Sequence, residues 1–203
     1  MQKLLTAILN IICPPRDTEI PLQTICLSDV DELYEPGIYN SIIFLSRYSN
    51  TVVQASVIEN KFHHNHKAAG VLGTMLQIWI SKNTNMKRTL FIPIPLGTQR
   101  QKERTHNQTT SILQKVSNIH VSATLLVRVR ETPPQTKLNK VDRMNNIKKA
   151  FAYVGQHMNW SDYEQIVVVD DVVTTGATLS AAKEVLTSYA PPHIKIRTLA
   201  ISH

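Results

Sequence analysis

The 203-residue chain predicts an α/β fold: a mostly parallel sheet flanked by helices, with a small N-terminal appendage. Three observations lead there. The run Ile166, Val167, Val168, Val169 is short, apolar and β-branched, as a strand buried on both faces of a parallel sheet must be. Residues 90–94 and 121–129 repeat that character. Between these runs lie segments with apolar residues at helical spacing, and alternating strands and helices build a parallel sheet covered on both sides.

Residues 1–50 read as the appendage and 51–203 as the main domain. A short helix near 4–12 precedes Pro14-Pro15, and Glu35-Pro36-Gly37 marks a turn. A strand is expected over 41–48. Residues 51–62 form a helix with Val53, Val57 and Ile58 as its buried face. Residues 68–80 form another, with Val71, Leu72, Met75, Leu76 and Trp79 on the apolar side. Strand 90–94 runs into Pro95-Leu96-Gly97 and then a basic, flexible segment holding Arg100, Lys102 and Arg104. Asn107 opens a helix that ends near Val116. Strand 121–129 ends at Arg128 and Arg130, Thr132-Pro133-Pro134-Gln135 is a loop, 141–151 is a basic helix and 153–164 is irregular. The helix after Val169 carries Leu179, Ala182, Val185, Leu186 and Tyr189 at helical spacing and stops at Pro191. A last strand spans 195–201.

The net charge of +7 is unevenly spread. Residues 1–60 carry three basic and seven acidic side chains, whereas 82–149 carry fourteen basic and three acidic. A positive middle segment suits a polyanionic ligand or nucleic acid. No aromatic residue lies between Phe91 and Phe151, so base-stacking platforms are not expected there and a small polyanion is the simpler reading. The two cysteines, Cys13 and Cys26, cannot form a four-ligand zinc site without histidine help, and no C-x-x-C occurs. His63, His64 and His66 fall at a helix junction without an i,i+4 pair and read as loop histidines. No metal-ligating residues are assigned. The apolar stretch 4–13 contains Asn10 and is too short to span a bilayer. Pro14, Pro15 and Arg16 follow it where a signal peptide would carry small residues. No membrane association and a cytoplasmic protein are expected.

The chemistry concentrates after Val169. Asp170 and Asp171 stand where the strand emerges, followed by Thr174, Thr175, Gly176, Ala177 and Thr178 at the start of a helix. A strand, tight turn and helix offer an anion backbone N–H groups at a positive helix end. Gly176 permits close backbone approach, and threonine hydroxyls donate to remaining phosphate oxygens. The acids would repel phosphate but suit vicinal hydroxyls, as in dinucleotide folds. A sugar phosphate satisfies both halves.

This stretch resembles the signature of type I phosphoribosyltransferases, which bind phosphoribosyl pyrophosphate (PRPP). With three further blocks over about 48–203, the chain resembles the ComF family (also called GntX or competence-protein F). The blocks are Lys61-Phe62; Ile92-Pro93-Ile94-Pro95-Leu96 with Arg100, Glu103-Arg104 and Asn107-Gln108; and Arg130-Glu131-Thr132-Pro133-Pro134-Gln135 with Leu138, Arg143, Asn146, Ala150 and Phe151. The resemblance implies a type I phosphoribosyltransferase fold, release of pyrophosphate from PRPP, and transfer of the phosphoribosyl group to an unidentified acceptor. It implies Asp170 and Asp171 on the ribose hydroxyls and Thr174 to Thr178 on the 5′-phosphate. Pro95, Leu96, Arg100 and Arg104 would form a pyrophosphate loop, and Arg130, Gln135 and Arg143 would belong to a mobile loop. Mg²⁺ would be held mainly through PRPP, and residues 1–50 would supply an acceptor hood. No general base is assigned. The alternative implied is a non-catalytic PRPP sensor or a protein that handles single-stranded DNA during uptake. A homodimer is compatible with either. Two departures stand out. Pro14-Pro15-Arg16 is followed by Asp17 and no cysteine quartet, so the family's zinc module is lost or degenerate. Thr105-His106 also replaces the family's Gly-Phe.

Overall fold

The computed structural model describes residues 14–83, 86, 88–104, 106–130 and 150–203. Beginning at Pro14, a short helix α1 (Ile20–Thr24) and a 3₁₀ turn (Leu27–Leu33) lead into a hairpin of β1 (Gly37–Tyr39) and β2 (Ile42–Ser46). Helices α2 (Thr51–His63) and α3 (His66–Lys82) follow, then β3 (Thr89–Pro93), α4 (Thr98–Arg104), α5 (Gln108–Leu113) and β4 (His120–Val121). A separate antiparallel pair, β5 (Leu126–Arg128) with β6 (Phe151–Tyr153), precedes a 3₁₀ turn (Trp160–Asp162). The chain then passes through β7 (Gln165–Val172), α6 (Ala177–Tyr189) and β8 (Lys195–Ser202).

The six-stranded sheet has the order β1-β2-β8-β7-β3-β4. All its pairings are parallel except the β1–β2 hairpin at one edge. The mixed α/β architecture with a mostly parallel sheet is therefore as the alternation of patterns predicts. β7 lies between β8 and β3, with Val167 opposite Phe91 and Arg197. Its side chains alternate between two cores. Val167 and Val169 pack with Leu72, Met75, Leu76 and Ile112 from α3 and α5. Ile166 and Val168 pack with Leu179 and Leu186 from α6 and with Phe151. Such a strand has no polar face, which is why its sequence is a continuous apolar run.

Several local expectations differ from the structure. The acids lie inside β7, which continues to Val172, because β8 supplies partners as far as Ser202. The 98–104 segment is helical and buries no residue, so no apolar period could reveal it. The 121–129 run is broken into β4 and β5, which belong to different sheets. Phe151 is in a strand and not at a helix end; the rest of that expected helix, and the one near 4–12, lie outside the described residues. The turn falls at Asn40-Ser41, both at positive φ (48° and 64°), while Gly37 already pairs in β1. Ile58 and Val185 are only half-buried; on α2, Glu59 and Asn60 are buried instead. Tyr189 is exposed and stacks on Tyr153 at 4.8 Å between ring centroids.

Candidate functional site

The C-terminal end of β7 is where the fold gathers polar chemistry. Side-chain parity decides how the acids are split. Asp170 continues the Ile166-Val168 row toward α6, and Asp171 continues the Val167-Val169 row toward the opposite layer. Asp170 accordingly borders a concavity that runs through Thr174, Thr175, Gly176 and Thr178 to Leu179. Asp171 faces α2, where Lys61 Nζ stands 3.9 Å from its Oδ2.

Gly176 is needed twice over at this turn. Its φ is +79°, in the left-handed region that β-carbons disfavour, and a Cβ there would meet Ile42 Cδ1 at 2.6 Å. The turn delivers the chain into α6, whose N-cap carries no side-chain hydrogen bond. Its first N–H, that of Ala177, donates to Thr175 Oγ1 at 3.4 Å, and the turn that follows borders the concavity together with the threonine hydroxyls. Thr174 is exposed and Thr175 and Thr178 are half-exposed, so all three are open to a ligand.

One oxygen of each acid is occupied locally. Asp170 Oδ1 accepts from the Asp171 N–H and Asp171 Oδ1 from the Val172 N–H, both at 2.9 Å. Asp171 is 5% exposed, and its Oδ2 is a buried atom with no hydrogen-bond partner among the described residues. Burial first, and then the neighbouring Asp171 carboxylate, hold the Asp170 carboxyl well above the usual range.

The positive flank comes from β3 and α4. Ile94 N–H donates to Val169 O at 2.9 Å, which sets the half-buried Pro95 and Leu96 beside the acid pair. Arg100 and Arg104 follow on α4. Burial and the Arg100 charge lower the pKa of Arg104, while Asp171, Glu103 and Asp170 oppose that shift. Arg104 therefore feels both acids of β7. Its Nη1 donates to Gln108 Oε1 at 3.3 Å, and its guanidinium lies 5.3 Å from the Phe62 ring centroid.

Sequence reading assigned no role to Lys61 or Phe62. The fold brings both to the site from α2, together with Arg104. The ring beside Arg104 comes from outside the aromatic-free segment between Phe91 and Phe151. Arg130, an expected mobile-loop residue, is exposed just past β5, with its N–H 3.4 Å from Ala150 O. Gln135 and Arg143 lie outside the described residues. Among the described residues, no group of three or more His, Cys, Asp or Glu is placed to hold a metal ion. No helix among them is long and apolar enough to cross a membrane. A wider cleft of about 400 Å³ lies elsewhere, between Pro14 to Gln23 and the side chains of Asn65 and Lys67. It contains none of the buried unpartnered polar atoms and is not the candidate.

No family model matches the chain. Competence protein F of Haemophilus influenzae is 30% identical to it over 174 residues, which cover 82% of this chain and 74% of that protein. The chain belongs to the ComF family. The landmarks of this ComF chain now have physical tasks. Asn107 caps α5 by accepting from Thr109 N–H and Thr110 N–H, and its Nδ2 donates to Ile94 O at 2.9 Å, tying α5 to the end of β3. Arg16 forms a two-point contact with Glu59 (Nε–Oε1 3.0 Å, Nη2–Oε2 2.7 Å), two residues before Lys61. His106 stands between the Arg104 and Asn60 carbonyl oxygens, with each ring nitrogen 2.7 Å from one of them. It joins the Arg104 segment to α2 where the family has phenylalanine. His64 packs on His106 at 4.0 Å, and that neighbour, followed by burial and then His66 and Lys115, lowers its pKa.

Proposed function

We propose that the site binds PRPP with Mg²⁺ and transfers its phosphoribosyl group to an acceptor in a type I phosphoribosyltransferase manner. The carrying observation is the Asp171 Oδ2 atom, buried and without a hydrogen-bond donor among the described residues, beside a glycine-turned helix start. A buried acceptor without a donor costs about 1–3 kcal/mol, and a ribose hydroxyl would relieve that cost. Asp170 would hold the neighbouring hydroxyl, and Thr174 to Thr178 with the α6 N–H groups would hold the 5′-phosphate. Arg100, Arg104 and the Pro95-Leu96 turn would face pyrophosphate, where guanidinium forks match phosphate oxygens.

The donor set fits Mg²⁺ of the kind that keeps its waters and borrows substrate phosphates. Asp171 offers one unpartnered carboxylate oxygen and Asp170 a second acid beside it, with no third protein ligand among the described residues. When bound, Mg²⁺ would neutralise pyrophosphate oxygens and so improve the leaving group. In the reaction, the acceptor's lone pair forms a bond to C1′ while the C1′–O bond breaks and its electron pair leaves with pyrophosphate. A proton on the attacking atom passes to solvent. Positioning and charge stabilisation by the side chains named would supply most of the rate.

A second reading rests on the name of the relative, competence protein F, and on the basic flank beside an exposed aromatic ring. On that reading the fold senses PRPP or handles single-stranded DNA without turnover. Titration calorimetry with PRPP and Mg²⁺, followed by a pyrophosphate-release assay, separates the two. Asp170→Asn with Asp171→Asn should weaken PRPP at least tenfold, since each charge-assisted bond contributes about 1.5–3 kcal/mol. Unchanged affinity in that double variant would sink the assignment. Anisotropy of a labelled oligonucleotide at fixed ionic strength, titrated with PRPP, tests the alternative. Persistent tight DNA binding at saturating PRPP would favour it.

A further inference from the structure

The half-buried ring of His106 lies between two helix ends. Helix α2 closes at His63, and the N–H of its cap, His64, turns back to Glu59 O. Asn60 O is thus among the last carbonyls of α2, which a helix cannot satisfy internally. Arg104 O is the last carbonyl of α4. His106 Nε2 stands 2.7 Å from the first of these oxygens and Nδ1 2.7 Å from the second. Both partners only accept. A neutral imidazole has one N–H and one lone pair, so it satisfies one carbonyl and turns its lone pair on the other. The imidazolium has two N–H groups and satisfies both. Helix C-terminal ends also carry partial negative charge, which favours a cation there.

The titratable neighbours are cationic. His64 packs on the ring at 4.0 Å, and Arg104 carries its guanidinium on α4. Behind His64 stand His66, at the start of α3, and Lys115. The His106 charge is the first cause that lowers the His64 pKa, ahead of burial, His66 and Lys115. Of the two stacked rings, His64 is the one that yields its proton.

We infer that His106 is a positioning residue for the PRPP site: doubly protonated, it clasps the ends of α2 and α4 together and holds Arg104 in place, and loss of one ring proton opens the clasp. The inference rests on the PRPP reading, because Arg104 matters only where there is pyrophosphate to meet. The family's phenylalanine at this position fills space but donates nothing. PRPP should therefore bind this chain more weakly as pH rises through the range in which histidines titrate.

Two measurements test this. Long-range ¹H–¹⁵N correlation of the ring nitrogens, without ligand, should show both His106 nitrogens protonated at about pH 5.5 and one of them bare at the alkaline end of a titration to about pH 8. The signals are assigned by their loss in His106→Gln. Calorimetry with PRPP and Mg²⁺ is then run over the same range on the wild type, His106→Gln and His106→Phe. The ionisation of PRPP and of Asp170 is common to all three, so the ratio of affinities isolates the ring. Wild-type affinity relative to either variant should fall about threefold or more from the acid to the alkaline end, and His64→Asn should retain that dependence. Melting curves show which variants are folded, and either His106 variant suffices. The inference is overturned if His106 is a neutral tautomer throughout, if the wild-type and variant affinities run parallel, or if the dependence disappears in His64→Asn and survives in the His106 variants. A wild type that binds no PRPP at any pH would bring down the PRPP reading and the positioning role with it, while the ring signals judge the clasp separately.

Discussion

Two buried carboxylates, Glu59 on α2 and Asp171 on β7, are treated oppositely by the fold. Glu59 has no exposed side-chain surface and is saturated. Arg16 reaches both of its oxygens, Thr18 Oγ1 donates to Oε1, and Asn65 Nδ2 approaches Oε2 at 3.4 Å. Asp171 is nearly as deep, yet among the described residues its Oδ2 accepts no hydrogen bond, and the Lys61 ammonium stands 3.9 Å away. A carboxylate provided with every donor has been built into the scaffold. One left with an open oxygen fits the ligand site proposed above.

The largest effect should come from the saturated acid. Glu59→Gln removes a charge that Arg16, Thr18 and Asn65 are arranged to meet, and Arg16→Ala strands that charge in the interior. Because Arg16 is half-exposed, the loss should fall at the lower end of the range for a broken buried pair, about 3 kcal/mol. Denaturant melts would read it. At temperatures where these variants remain folded, PRPP affinity should change less than it does in Asp171→Asn. Burial raises the Glu59 carboxyl, but the Arg16 and Thr18 hydrogen bonds, with the Arg16 and His63 charges, lower it overall. Its contribution should therefore be full at neutral pH and fade only as pH falls through that lowered value.

Asp171→Asn inverts the pattern. The fold loses little, because the open oxygen had no hydrogen bond to lose and the Lys61 contact is long; about 1 kcal/mol or less is expected. PRPP affinity should fall roughly ten- to a hundredfold. Calorimetry and melting curves on one preparation would compare the two quantities. A large stability loss without a change in affinity would place Asp171 with Glu59 and erase the contrast.

Asp170→Asn should show the smallest shift, visible as a pH dependence. Its carboxyl holds a proton more tightly folded than unfolded, first through burial and then through Asp171. The folded state thus binds more protons, and wild-type stability should decline as pH rises from the ordinary carboxylate range toward the raised value. The variant lacks that slope, so its melting temperature should exceed the wild type's most at alkaline pH. Parallel curves at every pH would remove the case for a strained acid.

The sequence made one half of this contrast readable. Residues 166–178 could be read because a fully buried strand is uniformly apolar and any acid at its end stands out against it. The glycine turn added a second local cue. Arg16 and Glu59 are 43 residues apart and neither belongs to a periodic pattern, so their pairing exists only in three dimensions. The same holds for Phe62 over Arg104. Helix α4 escaped because a segment that buries nothing carries no apolar period, and 121–129 misled because Ser122 to Leu125 interrupt what composition alone treats as one run.

The three asparagines that begin α2, α3 and α5 bear on how the protein would age in storage. Asn50, Asn65 and Asn107 each accept from two N–H groups through Oδ1. Deamidation to aspartate preserves that acceptor and adds a charge that suits a helix start. At Asn50 the change should therefore be harmless. At Asn107 it would replace the amide that donates to Ile94 O with a carboxylate facing a carbonyl, loosening the end of β3. At Asn65 it would set a second negative charge against Glu59. Chemical ageing of one residue type should thus be silent at the start of α2 but should damage the basic flank after β3 and the N-terminal anchor.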